Sequence, residues 1–121
     1  MILVDTSVWI DHIRRPELEL ARYLTANQVL VHPFVVGEIA LGVFAPRAPM
    51  LENLKRLPSP VLAGDGEVLT MIESERLFGV GIGYVAAHLL AAARLTPGAS
   101  VWTRDRRLAR VVERLGLAPP P

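Results

Sequence analysis

The chain has no cysteine, which excludes a disulfide scaffold and any thiolate-bound metal. Histidine is scarce: His12, His32 and His88 are scattered along the sequence, so a histidine-rich zinc site is not expected. An excess of charge of one sign is missing as well. Thirteen Lys and Arg stand against twelve Asp and Glu, a formal charge of +1, so this is no general polyanion-coating protein and any nucleic-acid affinity must be local. There is no internal repeat, low-complexity tract or internal linker. The N-terminus opens on an apolar run with an acid at position five and lacks the basic segment and cleavage signal of a secretory peptide, which implies a cytoplasmic protein. A hard cation held by oxygen ligands remains open.

What is present is strongly apolar. Hydrophobic residues make up 51% of the chain, which excludes disorder and predicts a tightly buried sheet or a partner-binding face. The 121 residues are expected to form one domain over residues 1–118, with a proline tail at 119–121. From Leu77 to Ala93 there is no acid or base except His88, a run just short of a membrane span. Gly79, Gly81, Gly83 and His88 interrupt it, so it reads as a glycine-rich turn entering a buried Ala/Leu helix, with no membrane association.

The remainder alternates as an α/β domain should. A strand covers about Met1 to Val4, and Thr6 or Ser7 can cap a helix running to Arg15. Pro16 opens a second helix to about Ala26, and Gln28 to Val31 is a short strand. Pro33 starts an apolar helix through Phe44, broken by Pro46 and Pro49, and another helix covers Met50 to Arg56. Leu57 to Leu62 is a proline-bounded connection with one edge strand. A helix then runs from Asp65 to Leu77, and the Ala/Leu helix ends at Pro97-Gly98. The chain closes with a strand over Ser100 to Thr103 and a basic helix over Arg106 to Leu115.

Two apolar strands therefore stop at acids, Met1-Ile-Leu-Val-Asp5 and Ser100-Val-Trp-Thr-Arg-Asp105. Parallel α/β sheets bind ligands at the carboxyl ends of their strands, so acids delivered there suit a divalent metal. Asp5 reads either as such a ligand or as an Asx-type helix cap. Glu38 shares a helical stripe with Phe34, Val35 and Leu41, where a buried carboxylate must neutralise, pair or bind a metal; a metal-ligand role is favoured over an arginine partner or a place at the stripe's edge. Asp105 fits a helix N-cap, and a capping acid at a strand end also points into the crevice. Arg104, Arg106, Arg107, Arg110 and Arg114 offer phosphate contacts, with Arg110 and Arg114 reading as a solvated face.

Four segments in register, Val4-Asp-Thr-Ser-Val-Trp-Ile-Asp, Val36-Gly-Glu-Ile-Ala-Leu-Gly, Gly81-Ile-Gly-Tyr-Val-Ala-Ala-His-Leu-Leu and Val101-Trp-Thr-Arg-Asp-Arg-Arg-Leu, resemble the PIN-domain ribonucleases, particularly VapC-type toxins. The resemblance implies a three-layer α/β/α fold with a central parallel sheet and an endoribonuclease that uses Mg²⁺ or Mn²⁺. By motif, Asp5, Glu38 and Asp105 are the metal acids, and Thr6 and Thr103 flank them, Thr6 being the stronger candidate for orienting an acid. Arg14, Arg15, Arg104 and Arg106 would meet RNA at the rim. The resemblance also implies a homodimer and a VapB-type antitoxin partner, and the apolar excess, with Trp9, Phe44 and Leu51 as exposed candidates or else as core, fits a chain that hides surface in partners.

The family's remaining acid falls at Ala86, where relatives resemble Gly-x-Gly-x-Val-Asp-Ala-His-Leu-Leu. One missing acid in an intact motif is what a single engineered Asp→Ala substitution leaves, and it implies very low activity. The alternative is a native, non-catalytic pseudo-nuclease that binds RNA or antitoxin. A haloacid-dehalogenase-type phosphatase is disfavoured, because Ser7 stands where its second acid is needed.

Overall fold

A computed structural model describes residues 1–121 throughout. Strands β1 (Ile2–Val4), β2 (Val29–Leu30) and β3 (Ser100–Trp102) form one parallel sheet in the order β2-β1-β3. Ile2 pairs with Val29 on one side and Ser100 on the other, and Leu3 with Leu30 and Val101. Ile2, Leu3 and Val4 are all buried, so side chains on both faces of the central strand are covered. Helices on both faces explain that continuous apolar run, and they make the fold a three-layer α/β/α sandwich.

The helices are α1 (Thr6–Arg14), α2 (Leu18–Thr25), α3 (Pro33–Ala40), α4 (Arg47–Arg56), α5 (Asp65–Ser74), α6 (Tyr84–Leu95) and α7 (Arg106–Arg114). Helices α1, α3 and α4 pack as one group, while α5 packs on α6 and α6 on β3. In α6 every side chain from Ala87 to Ala93 is buried, which accounts for its lack of charge. No helix is long and apolar enough to cross a membrane.

Several boundaries depart from the sequence reading. Pro16 stays outside α2, because the Glu17 N–H donates to His12 Nδ1 (3.0 Å) and Glu17 becomes the N-cap. Helix α3 stops at Ala40 rather than Phe44. There the Arg47 guanidinium reaches back to the carbonyls of Ala40 and Gly42 and satisfies acceptors that a helix end leaves open. Pro49 does not break α4 but lies third within it, where its missing N–H has no intrahelical acceptor. Residues 57–62 form no strand, although the Val31 N–H donates to Pro58 O (2.9 Å). Helix α5 ends at Ser74. Trp9, expected as exposed apolar surface, is buried in the core, and Phe44 and Leu51 are half-buried against it. The most exposed apolar side chains are instead Val43, Leu41, Leu18 and Phe78.

Candidate active site

The strand order places the C-terminal ends of β1 and β3 side by side, and the sequence continues from each into an acid and hydroxyls. Asp5 occupies the N-cap position of α1, yet its side chain makes no capping bond. Its Oδ2 instead accepts from Ser7 Oγ (2.7 Å) and Thr103 Oγ1 (2.7 Å), while Oδ1 accepts no hydrogen bond. The Asx-cap reading is thereby set aside. Ser7 also accepts the Arg104 N–H (3.0 Å), and Thr103 Oγ1 accepts the Asp105 N–H (3.1 Å), so two hydroxyls tie the β1 and β3 ends together. Ser7 was missed as a site residue. Its signal was present two positions after Asp5, where a hydroxyl can reach back to the carboxylate.

Asp105 caps α7 through Oδ1, which accepts from the Arg107 and Leu108 N–H groups (2.9 and 3.0 Å) and leaves Oδ2 without a donor. Glu38 arrives on α3. Its Oε1 accepts from Thr6 Oγ1 (2.7 Å), so adjacent residues Asp5 and Thr6 link two of the predicted acids. The expectation of a buried Glu38 fails, since the buried stripe of α3 is Val35 and Ile39, while Phe34, Glu38 and Leu41 lie on its exposed side. An exposed face that is itself apolar imitated a core stripe. No arginine pairs with Glu38.

Arg104, expected at the RNA rim, is already committed. Its guanidinium donates to Asp11 (2.6 Å) and Glu17 (2.8 Å) and lies over the Trp102 ring at 5.7 Å from its centroid. The hydrogen bonds it donates to Glu17 and then to Asp11 raise its pKa, and the same guanidinium lowers that of Glu17. Arg14, Arg15 and Arg106 are exposed and make no ion pair.

Ala86 is the third residue of α6 and half-buried. Two contacts locate the start of that helix. Arg107 of α7 lies against Gly81, and the His88 ring packs against Phe34 at 4.8 Å between centroids. The beginning of α6 is thus held between the beginnings of α7 and α3. Behind it sits a group that linear spacing did not reveal. His32 caps α3 by accepting the Phe34 N–H at Nδ1 (3.0 Å), and its buried Nε2 has no partner. Burial, and then the neighbouring His88, lower the His32 pKa to about 4. His88 Nε2 and the Tyr84 hydroxyl both meet Asp65 Oδ1 (3.1 and 2.8 Å), and the Tyr84 bond followed by the His88 bond holds the Asp65 carboxyl below its usual range.

The sequence profile of the PIN domain matches residues 2–114. The chain is also 43% identical over 119 residues to "Ribonuclease VapC32" of Mycobacterium tuberculosis, in both strain CDC 1551 / Oshkosh and strain ATCC 25618 / H37Rv, covering 98% of this chain and 95% of each relative. This chain belongs to the PIN-domain family. It is of the VapC type. No solved structure matches it. In this PIN domain no three acid or histidine side chains close around a single point, so any cation site is open rather than a protein cage. The donors are nonetheless of the oxygen type that a hard cation takes. Asp5, Glu38 and Asp105 each anchor one oxygen on a hydroxyl or a backbone N–H and keep the other uncommitted, and Mg²⁺ is usually held by one or two carboxylates plus water and phosphate.

Proposed function

We propose that this PIN domain is a divalent-cation-dependent endoribonuclease toxin of a type II toxin–antitoxin pair, hydrolysing RNA phosphodiester bonds, and that alanine at position 86 leaves this form with very low activity. The observation that carries the reading is the Asp5 carboxylate, gripped at one oxygen by hydroxyls beyond two neighbouring strand ends and uncommitted at the other. The family membership and the ribonuclease relatives support RNA as the substrate.

Asp5, Glu38 and Asp105 would hold Mg²⁺ or Mn²⁺, which supplies positive charge against the phosphoryl oxygens and makes water more acidic. The chain's own groups do the positioning. Thr6 fixes Glu38, Ser7 and Thr103 fix Asp5, and the first turn of α7 fixes Asp105, so the negative charges are set before substrate arrives. The positive ends of α1 and α7, at Asp5 and Asp105, offset the repulsion between these acids. Uncommitted carboxylate oxygens orient the attacking water, and exposed Arg14, Arg15 and Arg106 meet RNA phosphates at the rim. Exposed Leu41 and Val43 give a VapB-type antitoxin or a second copy of the chain apolar surface to cover, consistent with a cytoplasmic homodimer.

The test is cleavage of pooled structured and single-stranded RNAs in Mg²⁺ and in Mn²⁺ by this chain and by its Ala86→Asp variant, side by side. The expected result is cutting by Ala86→Asp and orders of magnitude less by the parent. The alanine itself favours a second reading, a pseudo-nuclease that binds RNA or antitoxin without cutting. Failure of both proteins to cut, with no metal binding by either, selects that reading, and an alanine codon in the encoding genomic DNA would show the residue to be native rather than engineered.

A further inference from the structure

Arg104, Arg106 and Arg107 surround the Asp105 acid in sequence, and the structure treats Arg104 and Arg107 oppositely. Arg104 is drawn away onto Asp11, Glu17 and the Trp102 ring, so its charge is spent inside the fold. Arg107 has no ion pair and no side-chain hydrogen bond, and it is exposed. It is nevertheless well placed. Its backbone N–H is held by Asp105 Oδ1 at 2.9 Å, the last link of a hydrogen-bonded series running from Asp5 through Thr103 to Asp105.

Its side chain lies flat on the glycine turn. A Cβ built on Gly81 would meet Arg107 Cδ at 2.7 Å, Nη1 at 2.8 Å and Nε at 3.1 Å, so the side chain occupies the space that the glycine leaves open and would have to shift for any larger residue. Gly81 also has φ +84°, which favours glycine independently. The turn leads directly into α6, whose third residue is Ala86. Arg107 therefore bridges from the Asp105 side of the site to the segment that carries position 86.

A guanidinium packed beside backbone and lacking a carboxylate keeps an unused fork of donors, the arrangement suited to a phosphate oxygen pair. We propose that Arg107, seated on Gly81, grips a backbone phosphate of the RNA and sets its register across the acids. The proposal rests on the nuclease reading for its substrate class, and it adds a substrate-positioning residue that the spacing of arginines in the sequence does not single out from Arg106.

The test uses the unchanged chain and Arg107→Ala, Arg107→Lys and the remote control Arg22→Ala, with a short fluorescent single-stranded RNA titrated at several salt concentrations. Arg107→Ala is expected to weaken binding about tenfold and to flatten the dependence of log K on log salt by about one. Arg107→Lys should keep the slope and regain part of the affinity, and Arg22→Ala should leave both untouched, with melting temperatures equal throughout. In the Ala86→Asp background the same change should raise KM with a smaller effect on kcat. A slope that Arg107→Ala leaves unchanged, or no salt-dependent RNA binding by the parent chain, overturns the proposal. Ala86→Asp proteins that bind RNA with the predicted Arg107 dependence but never cut would instead overturn the nuclease reading and leave the phosphate grip standing.

Discussion

His32 shows how one buried side chain couples the site's scaffold to pH. Its Nδ1 accepts the Phe34 N–H at the start of α3, the helix that carries Glu38, and this bond needs the neutral ring. Burial followed by the His88 ring lowers its pKa from 6.5 to about 4. The unfolded chain therefore takes up a proton at this residue near pH 6.5 while the folded chain refuses it until about pH 4, so acid favours unfolding across that interval. His12, also lowered chiefly by burial, acts in the same direction. The expected outcome is a urea midpoint that drops as pH falls from 6.5 towards 4 and that His32→Asn makes shallower, because asparagine keeps a cap acceptor and does not titrate. An acid limb equally steep in His32→Asn would remove His32 as its source.

At the scale of the element, the start of α7 carries two functions in one side chain. Asp105 closes the helix with one oxygen and leaves the other without a donor, the one that the proposed function assigns to the site, so two substitutions separate the roles. Asp105→Asn should retain the cap and the melting temperature while losing cation-dependent cleavage in the Ala86→Asp background. Asp105→Ala should lose cleavage too and also about 1 kcal/mol of stability, the usual worth of an N-cap. If Asp105→Asn cuts normally, the acid is only a cap. The same element shows what the sequence made legible. Helix starts were readable where a local cap announces them, as at Pro33 and Asp105, and the strand-end acids were readable because apolar runs stop at them. The end of α3 was not, because its capping group is the Arg47 side chain, from beyond the helix and the turn that follows it. Nor was the exposure of Glu38, since Phe34 and Leu41 give the outer face of α3 a core-like pattern. The pairing of Thr6 with Glu38 and of Thr103 with Asp5 joins residues 32 and 98 positions apart, a tertiary fact that no local window contains.

For the whole molecule, the acids and the fold oppose one another. The sheet is small, with strands of two and three residues, and it gathers like charges at one edge beyond β1 and β3. A fourth carboxylate at position 86 would add to that repulsion in the absence of a cation, while alanine relieves it and suits a helix. Ala86→Asp should therefore melt below the parent chain in a chelator, even though it is expected to be the more active form. A cation that binds only the folded state adds stability by mass action, about 2.7 kcal/mol at about one hundred times its Kd. Mg²⁺ or Mn²⁺ should accordingly raise the melting temperature of Ala86→Asp by several degrees and that of the parent by less, reversing or closing the gap between them. Thermal denaturation of both proteins in chelator and in each cation checks this. Equal shifts in the two proteins would mean that position 86 takes no part in holding the metal, whereas a shift confined to Ala86→Asp would mean that Asp5, Glu38 and Asp105 are too open a set to hold the cation without it.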